Sequence, residues 1–64
     1  MGNKIVEARK EMNMSQEELA QKSGVSRATI SGLESGRITI TTTSTLSKIS
    51  SALNETVSEI FFTD

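Results

Sequence analysis

Arg27, Ala28, Thr29, Ser31, Gly32 and Ser35 form a run of small side chains around one cation, and the chemistry open to such a run is recognition. At helical spacing Ile30 and Leu33 fall on one side, which leaves Arg27, Ala28, Ser31, Gly32 and Ser35 on the opposite face. No large apolar group stands there, so the face is narrow enough to enter the major groove of B-DNA. Arg can bond bidentately to guanine in that groove, and the methyl groups of Ala28 and Thr29 suit the thymine methyl. Catalysis is a poor fit: the chain has no His and no Cys, which excludes imidazole chemistry, thiolate metal sites and disulfides. There is no glycine-rich phosphate cradle and no carboxylate pair in a plausible pocket, so no enzyme activity and no cofactor are expected.

The elements that must hold this face are all helical. Ile5, Ala8 and Met12 recur at i, i+3 and i+7 with Arg9 on the same stripe, which predicts a first helix over roughly residues 3–13. Ser15 is a helix N-cap, and Glu18, three residues on, completes a capping box by reaching back to the Ser15 backbone N–H. Leu19, Ala20 and Ser23 then face inward, and Gly24 ends the second helix with a positive φ. Val25 plugs the turn, Ser26 caps the third helix, and Gly36 closes it. Two short helices joined by so tight a turn must cross steeply. Residues 37–41 read as a loop. The Ser/Thr-rich stretch that follows resembles a linker, but Leu46, Ile49 and Leu53, with Ala52 beside them, keep a helical spacing that a linker does not need. A fourth helix is therefore expected over roughly residues 42–54, held by packing because its intrinsic propensity is low. Asn54 suits its C-terminus. Thr56 caps a short fifth helix with Val57, Ile60 and Phe61 toward the core.

A chain of 64 residues is one domain, here taken as 1–64, near the lower limit at which a core alone sustains a fold. Self-association often assists chains of this size. The net charge of -1 and the pI near 5.3 argue mildly against nucleic acid. A basic face can nonetheless coexist with acidic residues elsewhere. The absence of a long apolar run excludes a membrane span, and without a secretory pattern at the N-terminus the expected location is cytoplasmic.

Arg9, on the stripe of Ile5 and Met12, and Glu34, beside Leu33 and four after Ile30, both lie next to inward-facing residues. A partly buried charge needs a partner, so the two are expected to form a structural ion pair between the first and third helices. Met12 and Met14 read as core filler. Glu7, Glu11, Glu17 and Glu55 read as a solvated face. Phe62 is expected to point partly to solvent, as a dimer contact or as a scattered surface aromatic.

These residues resemble a known family. The pattern Ser15-Gln16-Glu17-Glu18-Leu19-Ala20, then Gly24-Val25-Ser26, Ile30-Ser31, Leu33-Glu34 and Gly36, is similar to the phage Cro and repressor type of helix-turn-helix, the XRE family. Leu46, Ile49, Ala52, Leu53, Asn54, Val57, Ser58, Glu59, Ile60 and Phe61 follow the family's fourth and fifth helices, so the resemblance spans nearly the whole chain. It implies an all-α, compact five-helix phage-repressor-like domain, with the helix-turn-helix in helices 2 and 3. It also implies a homodimer on double-stranded operator DNA, with the third helix in the major groove. Carried over by position, it implies base contacts from Arg27, Ala28 and Gly32, with Thr29 and Ser31 close by. Phosphate contacts are implied for Gln16, Ser26, Arg37, Thr41, Thr42 and Thr43. The sequence departs from the pattern in two places. Ala28 and Gly32 offer no hydrogen bonds, which throws direct readout onto Arg27, with Thr29 or DNA shape supplying the rest. The loop after Gly36 carries Ile38 and Ile40 with one basic residue, where the family often has more charge or a proline.

A sequence-specific transcriptional regulator, a repressor by resemblance, is thus the expected function. The alternatives are an antitoxin-like or other protein-binding module that kept the fold, favoured by the acidic balance and Gly32, and the DNA-binding part of a longer repressor.

Overall fold

The structure is a computed structural model and describes residues 3–39 and 41–62. Five helices follow one another: α1 (Ile5–Glu11), α2 (Gln16–Ser23), α3 (Arg27–Ser35), α4 (Thr43–Ala52) and α5 (Val57–Phe61). Their starts are set by local chemistry. Ser15 Oγ accepts from the Glu18 N–H at 3.1 Å while Glu18 Oε1 accepts from the Ser15 N–H at 2.9 Å, which is the expected capping box. Thr56 and Glu59 repeat the same box at the head of α5. Ser26 and Thr42 cap α3 and α4 through their hydroxyl oxygens. The stops are equally local: Gly24 and Gly36 hold φ values of 74° and 84°, in the left-handed region where a Cβ would be strained. Asn13 and Asn54 adopt the same region after α1 and α4.

α1 is shorter at both ends than its periodicity predicts. Asn3 stays outside the helix, accepts from the Ile5 N–H, and donates through Nδ2 to the Leu33 carbonyl at the end of α3. At the other end Met12 falls in the cap beyond the last helical turn, so it leaves the buried stripe and is 43% exposed. The assignment of Met12 to the core is corrected accordingly. Met14 does enter the core.

One apolar cluster takes side chains from every helix: Ile5 and Ala8, Leu19, Ile30 and Leu33, Ile49, and Ile60, joined by Met14, Val25 and Leu53 from the connections. Ala20, Ile38, Ala52 and Phe61 pack around it. Leu46 and Val57, expected inside, are only half-buried. α2 packs against both α3 and α4, and α4 against α5, so the Ser/Thr-rich segment is a helix held by its neighbours. Ser50 lies within this packing with its hydroxyl buried and unbonded. Ile40, part of the expected loop, lies outside the described residues. No described helix is long and apolar enough to cross a membrane.

Candidate nucleic-acid interface

α3 presents its outer face because α2 holds its inner one. Ile30 and Leu33 are buried beneath it, while Arg27 and Ala28 are exposed and Thr29 and Ser31 half-buried. Thr29 is partly committed: its N–H and its Oγ1 both bond the Ser26 hydroxyl, at 3.2 and 2.9 Å. Ser26 therefore spends its side chain on capping, as the sequence pattern requires.

The expected ion pair is present and is the anchor of the site. Arg9 Nε meets Glu34 Oε2 at 2.7 Å and Arg9 Nη2 meets Glu34 Oε1 at 3.1 Å, a bidentate fork joining α1 to α3. The two side chains are 13% and 8% exposed, so water contributes little to either charge. Arg9 Nη1 also donates to the Met14 carbonyl at 2.9 Å. The guanidinium thus fixes the α1–α2 connection as well as α3.

Gln16 joins this anchor. Its Nε2 donates to Glu34 Oε1 at 2.8 Å. A carboxylate can only accept, so the amide must turn its NH₂ toward Glu34 and its carbonyl oxygen outward. That oxygen accepts from Arg27 Nε at 3.4 Å. A continuous polar chain therefore runs from the partly buried Arg9 through Glu34 and Gln16 to the exposed cation of α3. The Gln16 side chain, implied by resemblance to meet a phosphate, is engaged within the protein. Glu17 Oε1 lies 3.9 Å from Arg27 Nη1, but both groups are well solvated and the attraction is weak.

Gly32, on the outer side of α3 beside Ala28, is covered and not open, and here the sequence reading is corrected. It is buried under Ile38: a Cβ placed on Gly32 would come within 2.6 Å of Ile38 Cγ1 and would also collide with Cδ1. The Ile38 N–H donates to the Gly32 carbonyl at 3.0 Å, which pins the loop to the end of α3. Ser35 Oγ donates to the same carbonyl and accepts from the Arg37 N–H, so the turn out of α3 is tied at successive residues. Periodicity alone puts Gly32 beside Ala28; the cover comes from a loop residue that no helical pattern locates.

Arg37, Thr42 and Thr43 are exposed along the loop and the start of α4, and Thr41 is half-buried. Thr42 is the cap, accepting from the Thr45 N–H at 3.1 Å. Phe62, at the end of α5, is 70% exposed. No group of three or more acidic or other ligating side chains is placed to hold a metal among the described residues.

The helix-turn-helix family model matches residues 5–60, from the first residue of α1 to the last buried residue of α5. No curated protein and no solved structure matches the chain.

Proposed function

The chain belongs to the Cro/C1-type helix-turn-helix family, whose members bind DNA, and from that premise we propose that it is a sequence-specific transcriptional regulator, a repressor, acting on a pseudo-palindromic operator. The observation that carries this reading is Arg27: exposed at the first turn of α3 and in contact through Gln16 with the partly buried Arg9–Glu34 pair. The Arg27 side chain is well exposed, and a guanidinium can bond bidentately to guanine O6 and N7. Ala28, Thr29 and Ser31 complete the reading face. Arg37, Thr41, Thr42 and Thr43 supply phosphate contacts along the loop and at the head of α4, while Ser26, whose hydroxyl accepts from the Thr29 N–H and donates to Thr29 Oγ1, serves by capping α3. Gln16 contributes to phosphate through its backbone N–H at the first position of α2, since its side chain is engaged.

The active species in this proposal is a homodimer. The described body measures 23 × 20 × 19 Å and carries one recognition helix, whereas a palindromic operator offers equivalent grooves about 34 Å apart. Phe62 is the candidate contact between copies. The protein-binding alternative loses one of its supports, because Gly32 is now explained by the seat it provides for Ile38.

The test is in-vitro selection of bound duplexes, followed by titration of the selected duplex with wild type and Arg27→Ala. Loss of one bidentate contact weakens binding by roughly ten- to a hundredfold and relaxes preference at one base position. Binding also falls steeply with salt. Equal weak binding to every duplex, unchanged by Arg27→Ala, would refute specific reading.

A further inference from the structure

Gly32 leaves a gap in the reading face of α3, and Ile38 fills it. Gly32 follows Ala28 by four residues, so a side chain at 32 would project beside the exposed Ala28 methyl. The space such a side chain would occupy holds Cγ1 and Cδ1 of Ile38. The methyl end of Ile38 therefore lies over Gly32, at a position the helix itself leaves bare.

Three features make this more than a packing detail. Ile38 packs against the core cluster but is only half-buried, so part of it remains open to solvent. Its backbone is fixed by the bond from its N–H to the Gly32 carbonyl, and the preceding residue is fixed by the Arg37–Ser35 bond, so little freedom is lost when a ligand meets it. The exposed residue before it, Arg37, is cationic and suits a phosphate. An apolar group fixed on a helix face in the major groove has one natural partner there, the C5-methyl group of thymine.

We propose that Ile38 is a specificity-determining residue that reads a thymine methyl, taking the place of the side chain that Gly32 lacks. The inference rests on the DNA-reading function proposed above. It assigns the apolar half of the recognition to the loop, with Arg27 supplying the polar half.

The test uses the selected duplex with each thymine replaced in turn by deoxyuridine, which removes only the C5-methyl. Binding of a labelled duplex to the full chain is followed by fluorescence anisotropy. Wild type is expected to bind roughly fourfold more weakly at one position in each half-site, the worth of one methyl-sized apolar contact. Ile38→Ala abolishes the difference at that position. Ile38→Val, which retains the branched seat over Gly32 and loses only the terminal methyl, reduces it. The duplex series on wild type requires no variant, so it stands even where Ile38→Ala folds poorly. Indifference of wild type to deoxyuridine at every thymine overturns the proposal. So does a difference that persists in both Ile38 variants, which assigns the methyl contact to Ala28 or Thr29. Failure of wild type to distinguish the selected duplex from a scrambled one is a separate outcome, and it removes the DNA-reading function together with this inference.

Discussion

Replacing Glu34 with Ala tests the polar anchor directly. The side chain accepts three hydrogen bonds, two from the Arg9 guanidinium and one from Gln16 Nε2. Its removal leaves Arg9, 13% exposed, with only the Met14 carbonyl as acceptor. Breaking a buried pair by deleting one partner costs about 3–5 kcal/mol. Residual access to water at Arg9 places this case near the lower end, about 3 kcal/mol. A 64-residue domain has a total stability on the order of 3–10 kcal/mol, so the variant approaches the limit of folding. For a chain of this length each kcal/mol shifts Tm by roughly 4–8 °C, and a fall of about 20 °C is expected. The chain has no Trp and no Tyr, so the assay is thermal melting by far-ultraviolet circular dichroism. The paired variant Arg9→Met with Glu34→Leu, which removes both charges, should recover most of the loss, because the penalty arises from the stranded charge. A Tm for Glu34→Ala within a few degrees of wild type would refute the reasoning. A double variant as unstable as the single one would show that shape and not charge is at stake.

Ser50→Ala deletes a buried hydroxyl without a partner and should stabilise the fold by about 1 kcal/mol, read as a Tm rise of roughly 5 °C. Ser15→Ala removes one half of the α2 capping box and should cost about 1 kcal/mol in urea unfolding with an unchanged slope. Glu55→Gln should raise Tm at neutral pH and lose that advantage in acid. The hydrogen bond with Glu59, then the Glu59 charge, burial and Glu11, hold the Glu55 carboxyl above the usual glutamate range. The folded chain thus binds this proton more readily than the unfolded one, and stability from Glu55 is lost as pH rises through that raised range. Glu59 behaves in the opposite sense. The Thr56 backbone N–H, helped by Glu55 and the Thr56 hydroxyl, holds its carboxyl below the usual range, so its contribution is lost as pH falls through that depressed range. Melting curves from about pH 3 to pH 7 separate the two, and a Glu55→Gln advantage that grows in acid would contradict the assignment.

Features settled within a few residues of one another are legible in the chain alone. Ser15 with Glu18, and Thr56 as a cap, announce helix starts because donor and acceptor belong to one turn of chain. Gly24 and Gly36 announce helix ends because left-handed backbone is a local steric matter. The inward faces of α2 and α3 follow from periodicity. The Arg9–Glu34 pair was legible for a related reason: each residue sits beside buried neighbours on its own helix, and opposite charges in such places must meet. Only tertiary structure decided the rest. Met12 left the core because α1 stops one residue short of it. Gln16 turned its amide inward because the Glu34 carboxylate, eighteen positions away in the chain, accepts its NH₂. Gly32 lost its exposure on the outer side of α3 because Ile38 folds back over it from the loop. In each case the partner arrives from another element, and spacing along a single helix carries no information about what that partner will cover.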